Sequence, residues 1–373
     1  MSTPAAGGQR FVALDAWRGL CALVVAIEHV QIANPLVTNA FVHRGYRFVD
    51  FFFVLSGFVI AHAYGARLFD GAARGRFLAR RLGRLWPLHA FVLGVLVLLE
   101  VGLAVASAAG VSVGREPFGE RATLASIPLH LLLVQGWGVL PGLTWNGPSW
   151  SISTEFAAYG LFALISVVAL RTRLVVAAVL GAAGAAIVWR WAPEGMGSTF
   201  DFGLPRCVFG FMVGVIVRAA WGRWPVRGGT ALELGTVVAV VGGVAMLPTG
   251  APALLVTPLF ALAVWVFAGE DGAVSRLLGR RVPQALGAWS YSIYMVHATL
   301  VLVLLIGATL ATRLGVPIFA RVEGVAMIVG PAWFTTVLLA TYLLVVVGLA
   351  RLTYLHVELP GQRWVARRLE RRR

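Results

Sequence analysis

Ten apolar runs of roughly membrane-spanning length follow one another along the chain, separated by short polar and arginine-rich stretches. A helix needs about 20 mostly apolar residues to cross the hydrocarbon core of a bilayer, and these runs reach or approach that length. They predict an all-α, polytopic membrane helix bundle with about ten transmembrane helices. The runs cover residues 14–34, 47–66, 85–108, 152–170, 174–191, 203–220, 230–248, 252–268, 286–310 and 326–350.

A weaker apolar run at residues 123–140 is interrupted by proline, histidine, glutamine and glycine residues. If it crossed the membrane, the arginine-rich segments 218–229 and 269–285 would face outward, against the positive-inside rule. We therefore expect ten spans with both termini in the cytoplasm, and a re-entrant or interfacial element near residues 123–150. Irregular backbone at membrane depth is tolerated only where protein covers it or where it lines a cavity. The stretch 142–150 is therefore expected to help form a site.

The composition agrees with a membrane protein, because 59% of the 373 residues are hydrophobic and only 13% are charged, against about 25% charged residues in soluble domains. All 31 basic residues are arginines and the net charge is +15. The arginines cluster in loops between apolar runs, where the positive-inside rule of membrane topology explains most of the charge. We therefore expect membrane lipids as partners and no nucleic acid. Cys21 and Cys207 lie in apolar runs, which indicates no disulfide framework. We expect one integral-membrane domain over residues 1–373, with short cytoplasmic tails at 1–12 and 352–373.

The first span, Leu14–Val30, carries both Arg18 and His29. At about 100° per residue, eleven residues make three turns plus roughly 20°, so both side chains share a face about 16 Å apart along the axis. A neutral imidazole can take a proton from a hydroxyl. Asp15 lies one turn before Arg18, whereas Glu28 is offset from His29 by about 100° and need not face the same cavity. The alternative is a histidine that only hydrogen-bonds between helices.

Three arginines mark the predicted cytoplasmic start of the third span, in the segment Phe77–His89. They are Arg80, Arg81 and Arg84, of which Arg81 and Arg84 share a helix face. Guanidinium groups bind phosphates bidentately, so one interpretation is a site for a phosphate-bearing cytoplasmic donor. The other interpretation is positive-inside anchoring with contacts to lipid head groups.

Glu155 begins a span directly after the irregular stretch that contains Ser149 and Trp150. A carboxylate at this depth must pair with a cation or face water. It could orient His29 or bind a substrate hydroxyl, or it could form a structural ion pair with Arg206.

The segment Trp289–Leu300 places several polar side chains in one span. These are Ser290, Tyr291, Tyr294 and His297. Interhelical hydrogen bonding and a direct role in a site both remain open for them. His356 and Glu358 lie just past the last span, where an interfacial anchor is the default interpretation.

Six motifs then occur in the order typical of acyltransferase family 3, the integral membrane acyltransferases that modify bacterial surface sugars. The chain resembles this family from about residue 11 to residue 361. The family's opening LDGLRG, followed by a histidine, is similar to LDAWRGL with His29, and its basic residue–ten residues–histidine spacing matches Arg18 and His29. The other matches are Phe52–Phe58 (FFVLSGF), Arg80–Pro87 (RRxxRxxP), Trp150–Glu155 (WSxSxE), Ser290–His297 (SYSxYxxH) and Val357–Pro360 (VExP). Trp17 and Glu28 depart from the family pattern.

The resemblance implies transfer of an acyl group, most often acetyl, from cytoplasmic acyl-CoA to a sugar hydroxyl of a lipid-linked or surface glycan. It implies a bacterial inner-membrane protein with acyl-CoA as substrate, no tightly bound cofactor and no metal. We expect His29, Arg18 and Glu155 in catalysis, and Arg81, Arg84 and Arg80 in donor binding. The expected acceptor and cavity residues are Asp15, Ser149, Trp150, Tyr291, Tyr294 and His297.

A proton-coupled transporter of a small polar solute is the alternative, because buried Arg, His and Glu side chains also suit a carrier. Transporters often contain two related halves with paired broken helices, and no such internal repeat is visible here. A membrane scaffold is disfavoured by the density of polar residues within the spans.

Overall fold

The computed structural model describes residues 9–65, 68, 70–111, 115–322 and 324–371, and within them it is almost entirely helical. Each of the ten predicted runs coincides largely with one helix. The helices are α1 (Val12–His29), α2 (Pro35–Thr38), α3 (Ala40–His43), α4 (Phe48–Tyr64), α5 (Gly71–Ala108), α6 (Ile127–Leu131), α7 (Trp150–Ile165), α8 (Leu170–Trp191), α9 (Gly203–Arg223), α10 (Gly229–Met246), α11 (Val256–Phe267), α12 (Ala273–Leu278), α13 (Arg281–Arg313), α14 (Ala332–Thr353) and α15 (Leu359–Glu370).

The chain is an all-α polytopic membrane bundle. Seven helical segments in the described part of the chain are long and apolar enough to cross a membrane. They contain α4, α5, α8, α9, α10, α13 and α14. The other three predicted spans coincide with α1, α7 and α11, which are shorter or more charged: α7 has 16 residues, α11 has 12, and α1 carries Asp15, Arg18 and Glu28.

The segment between α5 and α7 contains no helix of spanning length over residues 120–149, all of which the structure describes. Short 3-10 turns at Glu120–Ala122, Leu124–Ser126 and Gly147–Ser149 flank the five-residue α6. The remainder is irregular, as the interrupted pattern predicts. Its depth relative to the bilayer stays a prediction.

A small β-hairpin before α14 was not predicted from the sequence. Strands β1 (Phe319–Val322) and β2 (Val325–Ile328) pair antiparallel, with Phe319 opposite Ile328. The predicted run 326–350 therefore begins too early, because its first residues form β2 and the helix starts at Ala332. The Ile328 amide donates to the Gln31 carbonyl over 2.8 Å, so the hairpin joins the segment that follows α1.

Helices α1 and α13 run parallel and approach closely. A Cβ at Gly19 would overlap the backbone of α13 at Leu286, and a Cβ at Gly287 would overlap the backbone of α1 at Asp15. The N-terminus of α1 has no side-chain cap of its own. Glu270, in the loop before α12, instead accepts a hydrogen bond from the Ala13 amide at 2.8 Å. Burial raises the pKa of the Glu270 carboxyl.

A buried ion pair joins α4 to α9. Asp50 and Arg206 are 0% and 1% exposed, and the Arg206 Nε and Nη2 atoms donate to the two carboxylate oxygens of Asp50 at 2.9 and 2.8 Å. This bidentate geometry is the strong form of the pair. Nearby, the fully buried Arg47 donates to the carbonyl oxygens of Val244, Leu247 and Pro248, and so caps the C-terminal end of α10.

The C-terminal residues form a helix rather than an extended tail. After α14 the chain makes a π-helical turn, Tyr354–Glu358, and continues into α15. Helix α15 packs on α5, where Val365 lies over Gly83 and Gly361 lies against Pro87. The outermost parts of the predicted tails, residues 1–8 and 372–373, lie outside the described residues.

We expect Gly287→Ala to destabilise the protein because its new Cβ meets the α1 backbone, which cannot move without displacing the helix. Overpacking of this kind costs about 1–3 kcal/mol. Thermal unfolding of the detergent-solubilised protein should show a lowered midpoint. The matched control is Gly307→Ala on the same helix, where a Cβ meets nothing within 4 Å. Equal midpoints for the two variants would contradict the close α1–α13 packing.

Candidate active site

One cavity brings together side chains from α1, α4, α5, α7 and α13. It contains about 810 Å³ of empty space, including the part open to solvent. One side is apolar, with Val49, Phe52 and Leu55 of α4. The polar lining residues are Arg18, Ser56, Arg81, Arg84, Ser151, Glu155, Tyr159, Ser290, Tyr291 and Tyr294.

Three arginines face this cavity, and they differ in how they are held. Arg18 donates to Ser290 Oγ at 3.0 Å and lies 3.4 Å from Asp15. Arg81 and Arg84, by contrast, form no hydrogen bond or ion pair with any residue that the structure describes. The Arg81 Nε atom is buried without a partner, while its guanidinium packs over the rings of Tyr64 and Tyr159 at 5.2 and 5.6 Å. Unpaired cations in a partly buried cavity form a site for an anion.

Arg80, the third member of the predicted donor-binding cluster, is exposed on α5 and does not line the cavity. Arg81 and Arg84 share the inner face of α5, as their i, i+3 spacing predicts. Asp15 lies beside the cavity as the partner of Arg18 and also accepts from Arg10 at 2.7 Å.

Two carboxylates lie close to the arginines. Glu155 accepts a hydrogen bond from the Tyr159 hydroxyl at 2.5 Å. Glu358 is only 3% exposed and accepts from Ser292 Oγ at 2.9 Å and from Gln362 Nε2 at 3.1 Å. Its negative charge attracts the guanidinium groups of both Arg84 and Arg18. The interpretation of Glu358 as an interfacial anchor is therefore wrong, because the π-helical turn directs its carboxylate inward.

The alternative of a structural Glu155–Arg206 pair is also wrong, since Arg206 pairs with Asp50. The Arg206 guanidinium lies over the Trp150 ring at 5.2 Å. Trp150 and the fully buried Ser149 do not line the cavity, although both were expected there. The Trp150 ring packs against Phe53, which does line the cavity.

The irregular segment packs against one end of the cavity. Its Asn146 side chain donates to the Met295 carbonyl on α13 at 3.0 Å, and its Gln135 side chain donates to the Ser149 carbonyl at 3.0 Å. The Pro148 carbonyl accepts from the Tyr294 hydroxyl at 2.8 Å. This stretch thus contacts Tyr294 and α13, but none of its residues lines the cavity, and the expectation that residues 142–150 help form a site stays a prediction.

Tyr294 forms the end wall of the cavity. Its hydroxyl is also 2.8 Å from Ser151 Oγ, and its ring packs against Phe52 with centroids 6.1 Å apart. On the other side of this wall lies His297, whose ring centroid is 5.6 Å from that of Tyr294. A fully buried histidine thus adjoins a residue that lines the cavity.

His29 lies beyond this wall, next to His297. The two rings meet edge to face with centroids 4.9 Å apart. His29 Nδ1 lies 2.9 Å from the Val25 carbonyl oxygen and 2.6 Å from the Glu28 carboxylate. Glu28 therefore does contact His29, despite the angular offset between them. The His29 side chain is 36% exposed, so a substrate could reach it.

Most of the expected site residues thus fall into two adjoining groups, whereas Arg80, Asp15, Ser149 and Trp150 belong to neither. Arg18, Arg81, Arg84, Glu155, Tyr291 and Tyr294 line the cavity, whereas His29, Glu28 and His297 form a histidine cluster behind Tyr294. Sequence reasoning missed Tyr159 and Glu358. The i, i+4 spacing of Glu155 and Tyr159 could have indicated the first. No local signal indicates that Glu358 turns inward. In the described part of the chain, no group of three or more His, Cys, Asp or Glu residues could hold a metal ion.

Comparison with known proteins identifies the family to which the chain belongs. A family model described as an acyltransferase domain matches residues 11–351. Acyltransferase MdmB of Streptomyces mycarofaciens is 28% identical over 320 residues, which cover 77% of this chain and 78% of that protein. Protein 2 in the picA locus of Rhizobium radiobacter is 32% identical over 169 residues, or 42% of this chain and 82% of that protein. No solved structure is significantly similar to the chain.

We expect Ser56→Cys to react with a small anionic methanethiosulfonate, because position 56 lines a cavity that contains unpaired arginines. Inorganic pyrophosphate should slow the reaction by occupying the same arginines. Cys21 and Cys207 are buried, so the background should be low. The matched control is Ser153→Cys, at a fully buried position outside the cavity. Equal labelling rates at the two positions, measured by mass spectrometry, would contradict an accessible cavity.

Proposed function

Because the chain belongs to the acyltransferase family whose domain covers residues 11–351, we propose that it moves an acetyl group from cytoplasmic acetyl-CoA to a sugar hydroxyl of a lipid-linked or surface polysaccharide. The acyltransferase activity and the multi-pass membrane character follow from the family and the fold. The donor, the acetyl group and the glycan acceptor are the proposal. A bacterial inner membrane with both termini in the cytoplasm is the matching location.

The observation that carries the donor assignment is the pair of unpaired arginines, Arg81 and Arg84. The diphosphate of coenzyme A would supply the direct hydrogen-bond acceptors that these guanidinium groups lack among the described residues, and guanidinium–phosphate contacts are bidentate. Arg18 adds a third positive charge on the facing helix. Arg80 remains on the surface of α5, where positive-inside anchoring accounts for it.

The rest of the cavity suits the arm and acyl end of the donor. From the arginines it extends along apolar residues of α4, including Val49 and Phe52, to Tyr294. A donor whose phosphates lie on Arg81 and Arg84 would direct its thioester toward this end. Arg18, held by Ser290, is placed to stabilise negative charge on phosphate or on a developing oxyanion.

His29 is the proposed reactive group. The Val25 carbonyl can only accept, so the His29 proton lies on Nδ1 and Nε2 keeps its lone pair, while the Glu28 carboxylate lies 2.6 Å from the same Nδ1 atom. This nitrogen can take the proton of an acceptor hydroxyl, or it can attack the thioester itself. Glu155, with Tyr159, helps to shape the cavity and position the donor.

The arrangement also separates the two substrates. The arginines lie on the N-terminal half of α5, on the side that the positive-inside rule assigns to the cytoplasm. His29 lies about 16 Å further along α1, at its C-terminal end. The donor would enter from the cytoplasm and the glycan from the opposite side. Family membership favours this enzyme over a proton-coupled transporter.

Replacing the two cavity arginines should weaken donor binding. A hydrogen bond to a charged group contributes about 1.5–3 kcal/mol, so Arg81→Gln and Arg84→Gln should each raise the KM for acetyl-CoA by at least about tenfold. The matched control is Arg80→Gln on the same helix, which should stay within about twofold. The assay follows radiolabelled acetyl transfer in inside-out vesicles. Unchanged donor KM in the Arg81 and Arg84 variants would refute the phosphate assignment.

His29→Ala should abolish acetyl transfer while the protein still folds and inserts, because the proposed base or nucleophile is lost. General bases contribute about 10²–10⁴-fold to rate. Label from acetyl-CoA should enter lipid-linked glycan in inside-out vesicles with wild-type protein only. Retained transfer in a correctly inserted variant would exclude His29 from the chemistry. Solute uptake that needs no acyl donor would instead favour the transporter.

A further inference from the structure

The histidine cluster contains a second imidazole that the proposed function does not use. His297 is 0% exposed, and its Nε2 atom has no hydrogen-bond partner among the described residues. Leaving a buried polar atom unpaired costs about 1–3 kcal/mol. Such an atom in a membrane helix, directly beside the proposed reactive group, points to a functional role.

Both histidines are held in the same tautomer. His297 Nδ1 lies 2.6 Å from the Tyr294 carbonyl oxygen, and His29 Nδ1 faces the Val25 carbonyl. A carbonyl can only accept, so each Nδ1 carries the proton and each Nε2 has a free lone pair. Two unprotonated nitrogens therefore lie on rings whose centroids are 4.9 Å apart.

A direct transfer needs only one base. A transfer through an acyl-enzyme needs two groups, because a nitrogen that carries the acyl group can no longer accept a proton. On the basis of the proposed function, we propose that His29 Nε2 carries the acyl group and that His297 Nε2 is the base that activates the acceptor hydroxyl.

In the first step, His29 Nε2 attacks the thioester carbonyl carbon. The new N–C bond forms, the C–S bond breaks, and the electron pair leaves with the sulfur as coenzyme A thiolate. The resulting acyl-imidazolium keeps its Nδ1 proton toward Val25 and Glu28, where the carboxylate offsets its positive charge.

In the second step, the acceptor oxygen attacks the acyl carbon while its proton passes to His297 Nε2. The C–N bond breaks and its electron pair returns to His29 Nε2. His297 then releases the proton to solvent, which replaces the proton that the departed coenzyme A thiolate takes from solvent, so the net products are the glycan ester and free coenzyme A.

Neighbouring groups are less suited to this second role. The Glu28 carboxylate is engaged at Nδ1 of His29, on the other side of the ring from Nε2. The Tyr294 hydroxyl is occupied by Ser151 and by the Pro148 carbonyl. His297 is thus the unengaged base that the described part of the chain places beside His29.

The test separates the two steps by isotope exchange. An acyl-enzyme catalyses exchange of radiolabelled coenzyme A into acetyl-CoA without any acceptor, because only the first step runs. Full-length wild type, His29→Ala, His297→Gln and His89→Gln are compared in inside-out vesicles for this exchange and for acetyl transfer to lipid-linked glycan. His89 is the control, being a buried histidine with an unpaired Nδ1 in another part of the bundle.

We expect His297→Gln to keep exchange within about threefold of wild type and to lose transfer by at least about 100-fold. His29→Ala should lose both, and His89→Gln should keep both. Imidazole should restore part of the transfer in His297→Ala, which a merely structural role would not predict.

Three outcomes would overturn the inference alone. They are wild-type transfer without exchange, normal transfer in His297→Gln, and loss of exchange in His297→Gln when His89→Gln retains it. If wild type shows neither exchange nor transfer, the proposed function itself fails.

Discussion

The close parallel packing of α1 against α13 is the constraint on which the rest of the site depends. At Gly19 and Gly287 each backbone lies where a side chain of the other helix would be. Once these helices are in register, Arg18 meets Ser290 at one level and His29 meets His297 further along. One helix pair thus sets both the cationic end of the cavity and the histidine cluster.

Buried polar groups without partners are costly within a membrane, because the hydrocarbon core contains no water that could form hydrogen bonds with them. Most buried charges in this bundle are compensated: Asp50 pairs with Arg206, and Arg47 caps the end of α10. Arg81, Arg84 and the Nε2 atom of His297 have no such partner among the described residues. The proposed role of Arg81 and Arg84 is to bind the donor, whereas the proposed role of His297 is to activate the acceptor hydroxyl.

Local periodicity predicts much of this architecture, but not its long-range pairings. The ten apolar runs each became a helix, and helical spacing correctly put Arg81 and Arg84 on one face. Hydropathy does not encode which helix a charged residue meets, so the sequence offered Glu155 as one possible partner of Arg206 and did not indicate Asp50. Glu358 was misassigned because a π-helical turn re-aims the side chain, and a hydropathy pattern contains no signal for one.

The Tyr294 side chain lies between the two parts of the proposed site. Its ring separates the arginine-lined cavity from the histidine cluster, and its hydroxyl is held by Ser151 and the irregular segment. A donor bound at the arginines is therefore kept apart from His29 until the acyl end passes this side chain. The proposed two-step transfer uses this separation, because the acceptor can reach the partly exposed His29 without entering the cavity that holds the donor.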